Sequence, residues 1–142
     1  MDLKKLIISG ALLTSYFIAA AYTADELGTV KKVAEQFVQL VDKNESERLK
    51  NLLHPDLLQY VTLEGELIPF KAADFIQMVA DKKIGGTSRE ITHKDSGIIR
   101  GNTAYVVLRA VSHEYDFMYH LSLVKEDDKW IIVGIVADIT KV

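Results

Sequence analysis

The stretch YHLSLVKEDDKWIIVGIV, residues 119–136, predicts two β-strands joined by a tight acidic turn. If Asp127 and Asp128 form a two-residue turn, Glu126 pairs with Lys129. Regular alternation from that pair then predicts three more: Leu123 with Ile132, Leu121 with Gly134, and Tyr119 with Val136. Since neighbouring side chains point to opposite faces of a strand, this register fixes which residues share a face.

Both faces of the predicted hairpin are apolar. The face that carries the aromatic side chains is predicted to face the helices, and it comprises Phe117, Tyr119, Leu121, Leu123, Trp130, Ile132, Gly134 and Val136. The opposite face comprises Met118, His120, Ser122, Val124, Ile131, Val133, Ile135 and Ala137. The preceding strand extends this second face with Tyr105, Val107 and Val111 around Arg109.

A large apolar patch is rarely left exposed on a monomer, so the second face predicts a homodimer. The residues expected at that interface are Val107, Met118, His120, Val124, Ile131, Val133 and Ile135. The alternative is a monomer whose outer face is half-shielded by its own tail or by long side chains.

Helical patterns come before the strands. Apolar residues recur at helical spacing between Leu27 and Val41, and a second, short helix is expected to end near Pro55. A hairpin over Leu57–Phe70 turns at Glu64-Gly65, and a third helix follows over residues 71–83. Four strands complete the chain: Arg89–Ile99, Asn102–Ser112, Tyr115–Val124 and Trp130–Ile139. Helices followed by an antiparallel meander predict an α+β fold.

Composition sets broad limits on function. The chain has 142 residues, of which 49% are hydrophobic and 26% charged, as in a single globular domain. A net charge of −3 gives no electrostatic basis for binding nucleic acid. The absence of cysteine excludes a disulfide, a thiolate nucleophile and a cysteine-based zinc site.

The first 21 residues have the layout of a secretory signal peptide. A short cationic start precedes the uncharged apolar run Leu6–Ala21, and Ala19 and Ala21 supply small residues before a cut at Tyr22. We therefore expect residues 1–21 to be removed, leaving a domain over residues 22–142 that is periplasmic or secreted and not stably inserted in a membrane. A retained N-terminal anchor is the alternative.

Three segments carry a family resemblance: VKKVAEQFVQLVDKNESERLKNLLHPD, AADFIQMV and the hairpin quoted above. Together they resemble the nuclear transport factor 2-like superfamily and, within it, the bacterial "putative lumazine-binding" branch. The resemblance implies a cone-shaped fold in which N-terminal helices pack on a strongly bent antiparallel sheet. It also implies a pocket at the open end and dimerisation through the outer sheet face. Tyr119-His120 stands where the family pattern has Asp-Tyr, and Gly134 where it often has a polar residue.

The expected function is binding of a small, largely apolar or aromatic molecule without catalysis or a cofactor. The predicted pocket wall comprises Tyr115, Tyr119, Leu121, Trp130 and Ile132, with Gln59 and Tyr60 as further inward-facing candidates. One alternative is an isomerase, dehydratase or cyclase of the SnoaL-like kind, with Asp138 as base and a pocket tyrosine as oxyanion donor. Another is a purely structural dimer whose cone is filled by side chains.

The histidines give little sign of catalysis. His120 is expected at the dimer interface, His54 at a helix C-terminus, and His93 and His113 in solvent. No histidine or carboxylate spacing fits a metal site. A Ser122-His120-Asp116 arrangement lacks the loop that would present a nucleophile.

Overall fold

The computed structural model describes residues 11–94 and 97–142, and of residues 11–24 it describes the backbone only. The signal-peptide prediction concerns residues 1–21. Residues 1–10 lie outside the described residues, and the side chains of residues 11–21 are not described. The helices are α1 (Ala11–Asp42), α2 (Ser46–Leu52) and α3 (Ala72–Ala80). The strands are β1 (Leu53–Leu63), β2 (Glu66–Lys71), β3 (Glu90–His93), β4 (Ile98–Arg100), β5 (Thr103–Val111), β6 (Tyr115–Glu126) and β7 (Lys129–Lys141). No helix in the described ranges is both long enough and apolar enough to cross a bilayer.

The strands of the described residues form one bent, open sheet in the order β2-β1-β7-β6-β5-β3, with β4 also paired to β5. The predicted α+β class is therefore confirmed. The sheet is antiparallel, as expected, except that β1 and β7 run parallel. This parallel pair joins the N-terminal hairpin β1–β2 to the C-terminal meander, so the two ends of the domain share a single sheet.

Among the differences between the predicted and observed elements, two change the course of the chain. Helix α2 ends at Leu52, and β1 begins at once with Leu53, which pairs with Ile132 of β7. A register shift between Leu53 and Leu58 accommodates Pro55, whose missing N–H would weaken a regular ladder. The predicted strand Arg89–Ile99 is instead two short strands, β3 and β4, both antiparallel to β5.

Helix α1 packs its apolar stripe against the inner face of the sheet. Val30, Ala34, Phe37 and Val38 are fully buried, as the helical spacing predicts. The sheet contributes Leu57, Val106, Leu108, Leu121, Leu123, Ile132 and Ile135 to the same core. Tyr119 and Trp130 both lie on this inner side, in agreement with the predicted placement of the aromatic residues.

A β-bulge in β7 changes the predicted hairpin register. The turn is as predicted: Asp127 and Asp128 have φ angles of 49° and 61°, and Glu126 pairs with Lys129. Leu123 also pairs with Ile132, but Ser122 pairs with Gly134, which leaves Val133 as an extra residue. Leu121 therefore lies opposite Ile135 and Tyr119 opposite Ala137, not opposite Gly134 and Val136. One added residue moves every later side chain of β7 to the other face of the sheet.

Candidate functional site

A recessed cavity of about 540 Å³ lies on the inner side of the sheet, at the C-terminal end of α1. Strands β1, β6 and β7 form its floor, and α3 and the segment between α3 and β3 form its sides. The apolar wall comprises Val41, Val61, Leu63, Ile68, Phe70, Phe75, Ile84, Phe117, Ala137 and Ile139. A cavity of this size, mostly apolar with a few polar groups, is typical of small-molecule sites.

Two of the five predicted wall residues, Tyr115 and Tyr119, line this cavity. Leu121, Trp130 and Ile132 do not line it; they are buried in the packed core nearer the β6–β7 turn. The reason is the length of the hairpin. β6 starts at the cavity and ends at the turn, and the turn end is covered by the earlier part of α1.

An ion pair marks the covered end of the hairpin. The Lys125 Nζ lies 3.0 Å from the Glu26 Oε1 of α1 and 6.0 Å from the centre of the Trp130 ring. Trp130 therefore seals the core beneath α1 and lies away from the cavity.

Asp138, the candidate catalytic base, lies on the outer face of the sheet. Its side chain is exposed and accepts a hydrogen bond from the Thr62 hydroxyl. Without the bulge, the alternation of β7 would have pointed Asp138 inward. The expectation that Asp138 faces the pocket is therefore wrong, and the acid–base hypothesis loses its base.

The bulge also corrects the predicted outer face. Ile135, expected at the dimer interface, is 1% exposed and belongs to the core, whereas Val136 is 47% exposed and faces outward. The other predicted interface residues are half-buried on the outer face: Val107, Met118, His120, Val124, Ile131 and Val133. Leu58, Tyr60 and Tyr105 enlarge this apolar surface, which contains a shallow groove.

A buried ion pair between Arg89 and Asp42 forms the polar wall of the cavity. The Arg89 Nε donates to the Asp42 Oδ1 at 2.7 Å, and the Arg89 backbone N–H donates to the Oδ2 at 3.0 Å. The Arg89 Nη1 donates to the Tyr119 hydroxyl at 2.7 Å. The two charged side chains are only 5% and 9% exposed. Helix α1, strand β6 and the start of β3 are therefore tied together at this point.

Aromatic rings support the same guanidinium. The Arg89 Cζ lies 4.4 Å from the centre of the Phe117 ring, which stacks on Tyr119 with an interplanar angle of 11°. Burial raises the pKa of the Tyr119 phenol, although Arg89 opposes this shift. Burial also disfavours the charge of Arg89, but Tyr119 and Asp42 outweigh it and raise the pKa of the guanidinium. Tyr119 is thus a neutral phenol and Arg89 a cation at physiological pH.

Close backbone packing brings Arg89 to the end of α1. Gly85 has a φ of +81°, and a Cβ at this position would lie 2.1 Å from the Val41 carbonyl oxygen. The Asn44 side-chain amide donates to the carbonyls of Val79 and Ile84, at 3.0 and 2.8 Å. These contacts hold the segment between α3 and β3 against α1, which places Arg89 beside Asp42.

Gln59 is the buried polar residue on the floor of the cavity. It is 3% exposed, and its Oε1 accepts no hydrogen bond. Gln59 was one of the two inward-facing candidates on β1, and in the structure it lies between the buried residues Leu57 and Val61 on the inner side. Tyr60, the other candidate on β1, is 39% exposed and faces outward.

Sequence reasoning missed Arg89 and Asp42. The available signals were weak: Asp42 directly follows the apolar stripe of α1, and Arg89 directly precedes a strand. Neither signal indicates a pair, because the two residues come together only when α1 and β3 pack.

The histidines make local contacts. His120 hydrogen-bonds to the Tyr105 hydroxyl on the outer face, while Asp116 binds Arg109, so no Ser-His-Asp arrangement forms. His54 lies in β1 and accepts from the backbone of Asp56, so it does not cap a helix as expected. His93 is not simply solvated, because its Nε2 lies 2.8 Å from the Glu35 Oε1. His113 is exposed at the edge of the cavity.

No group of three or more potential metal ligands occurs among the described residues.

Several solved structures have the same fold. A nuclear transport factor 2-like protein of unknown function from Silicibacter pomeroyi superposes with a TM-score of 0.73 at 18% identity, covering 82% of this chain and 98% of that one. A similar protein from Shewanella baltica gives a TM-score of 0.68 at 13% identity, with coverages of 82% and 95%. One from Cytophaga hutchinsonii gives 0.66 at 19% identity, with coverages of 80% and 97%. These identities support a shared fold and no more.

Family membership follows from sequence. Among curated proteins, no significant match to the chain is found. The family model described as "Putative lumazine-binding" matches residues 25–136, which run from within α1 through most of β7. With the fold of the nuclear transport factor 2-like superfamily and this match over most of its length, the chain belongs to the "Putative lumazine-binding" family.

Proposed function

We propose that this protein is an exported, non-catalytic module that binds a small apolar or aromatic molecule in the cavity beside Arg89. The observation that carries the proposal is the cavity itself: about 540 Å³, lined mainly by aliphatic and aromatic side chains. Drug-sized ligands fit sites of about 300–1,000 Å³ with this composition.

An open cavity favours binding over a purely structural role. A structural module would fill its interior with side chains, because protein cores are packed to high density. Here the packing is dense around Trp130 and Ile132 but leaves space near Tyr115 and Phe117.

The polar groups of the cavity favour binding over acid–base catalysis. A general base of this kind needs a carboxylate isolated in an apolar pocket. Among the described lining residues, Asp42 is engaged by Arg89, and the Glu114 side chain is 69% exposed. With Asp138 on the outer face, neither cavity carboxylate has the required setting.

Export and self-association complete the proposal. Export rests on the sequence pattern of residues 1–21, and its test is the mass of the protein isolated from its native cell. A mature chain beginning at Tyr22 supports export, and an intact N-terminus in the cytoplasmic fraction contradicts it.

Dimerisation rests on the outer apolar face, where Leu58 and Val136 are 54% and 47% exposed.

The binding proposal is tested with the uncharged fluorophore N-phenylnaphthylamine, which brightens on entering apolar sites. We expect saturable binding that is lost in Ile139→Trp, because the larger ring fills the cavity. Thr140→Trp is the matched control, since Thr140 is the next residue along β7 and points outward. Equal binding by the two variants, or no saturable binding by the wild type, would contradict the proposal.

The dimer proposal is tested by light scattering across micromolar concentrations. Val136→Glu places a charge in the outer patch and should yield monomers from a wild-type dimer. Val142→Glu, at a site 76% exposed at the C-terminus, should leave the dimer intact. A wild-type protein of monomer mass at every concentration would refute this interface.

A further inference from the structure

Two polar atoms of the cavity residues have no hydrogen-bond partner. They are the Arg89 Nη2, a charged donor, and the Gln59 Oε1, an acceptor. Both side chains are more than nine-tenths buried and both line the cavity. Buried polar groups are nearly always paired, since an unpaired one loses its hydration without compensation. Two such atoms on residues that line one cavity point to a ligand that supplies the missing partners.

The charges around the cavity balance. Its described lining contains two cationic side chains, Lys83 and Arg89, and two carboxylates, Asp42 and Glu114. The deepest cation, Arg89, is already neutralised by Asp42 at 2.7 Å. An anionic ligand would therefore give up its hydration for a site without net positive charge, whereas an uncharged polar ligand would not meet this penalty.

The rings near the guanidinium favour an aromatic ligand. Phe117 and Tyr119 stack with centroids 5.8 Å apart, and Phe70 and Phe75 lie on the other side of the lining with centroids 6.4 Å apart. Aromatic rings packed at such distances gain energy beyond simple burial.

We propose that the cavity selects an uncharged aromatic molecule that presents a hydrogen-bond acceptor to the Arg89 Nη2 and a hydrogen-bond donor to the Gln59 Oε1. Cyclic amides fused to an aromatic ring are one such class, because they offer a carbonyl and an N–H on a planar skeleton. This inference rests on the proposed binding function and adds the chemical class of ligand and its two specificity-determining residues.

Binding requires a local rearrangement. Each of the two atoms exposes less than 1 Å² to solvent, so other protein atoms cover both. A ligand group reaches them when these covering atoms move aside. The site is thus specific for ligands whose hydrogen bonds compensate the rearrangement.

The test compares probes of one two-ring skeleton by isothermal titration calorimetry on the purified protein. Carbostyril carries adjacent carbonyl and N–H groups, and its isomer 4-quinolone carries them across the ring from each other. Naphthalene carries neither group, and naphthoate carries a negative charge. We expect the better of the two amide isomers to bind at least about tenfold more tightly than naphthalene, the gain of one to two hydrogen bonds. We expect naphthoate to bind no more tightly than that isomer.

Two variants assign the preference to the named atoms. Gln59→Leu removes the acceptor at similar volume, and Arg89→Lys removes Nη2 but keeps a cation beside Asp42. Each should reduce the preference for the amide over naphthalene by about tenfold while naphthalene affinity changes little. Gln59→Leu should also leave the thermal unfolding midpoint of the empty protein unchanged or raise it, because it removes an unpaired buried amide.

The outcomes separate the two proposals. If naphthalene binds but neither amide isomer binds more tightly, the chemical class is wrong and the binding function stands. Tighter binding of naphthoate than of either amide would also overturn the class, in favour of an anion site. An unchanged preference in both variants would refute the assignment to Arg89 and Gln59. If no probe binds, including N-phenylnaphthylamine, the binding function itself fails.

Discussion

Removal of the Asp42 carboxylate should strongly destabilise the protein. In Asp42→Ala, Arg89 keeps its charge and its 5% exposure but loses the acceptor of its Nε and of its backbone N–H. Breaking a buried ion pair by removing one partner costs about 3–5 kcal/mol, because the remaining charge has neither water nor counter-ion. We therefore expect the free energy of unfolding to fall by about this amount.

An exposed ion pair in the same protein provides the comparison. Arg48 and Glu45 lie 2.8 Å apart, but their side chains are 63% and 33% exposed. Pairs in such settings contribute about 0–1 kcal/mol, so Glu45→Ala should cost no more than this. Equilibrium unfolding in urea, monitored by far-ultraviolet circular dichroism, measures both variants under the same conditions.

A double-mutant cycle isolates the pair from other effects of truncation. Arg89→Met removes the charge at similar length, so Asp42→Ala combined with Arg89→Met leaves no unpaired buried charge. We expect the double variant to be less destabilised than the sum of the two single variants by at least about 1.5 kcal/mol. Additive costs, or a cost for Asp42→Ala no larger than that for Glu45→Ala, would refute the view that this pair is buried and coupled.

Three further outcomes are expected. Gly85→Ala should reduce the free energy of unfolding, measured in urea, by more than about 2 kcal/mol, because the new Cβ would lie 2.1 Å from the Val41 carbonyl oxygen. Gly65→Ala is the control: nothing lies within 4 Å of its Cβ, so it should cost only about 1 kcal/mol of backbone strain. Burial raises the pKa of Tyr119 above 10.0, so the unfolded chain ionises first as the pH rises past about 10 and the stability falls. Urea titrations on either side of that pH should show a smaller fall in Tyr119→Phe than in the wild type, and an equal fall would contradict the assignment. Asp138→Asn should leave N-phenylnaphthylamine affinity within about twofold of wild type, as expected for an exposed outer residue; a larger loss would return Asp138 to the binding site.

Local pattern was enough to predict the elements that depend on near neighbours. The apolar stripe of α1 and the inward placement of Tyr119 follow from the periods of helix and strand, and the two-aspartate turn follows from the short acidic gap between two strand patterns. Those periods are properties of the backbone, so they can be read from residues close together in the chain. The family resemblance, which the match over residues 25–136 supports, added the bent sheet.

Contacts between distant segments decided the rest. The bulge at Val133 lies in β7, which is paired on one side with β6 and on the other with β1, and it sends Ile135 inward and Asp138 outward. Arg89 and Asp42 are 47 residues apart, and nothing in either neighbourhood signals the other. The sequence by itself thus determined the helices, the turn and which residues of β6 face the core. The tertiary structure decided which side chains share the cavity. The bulge at Val133 and the contact between Asp42 and Arg89 each depend on the free energy of packing the whole domain, which no short segment of the sequence contains.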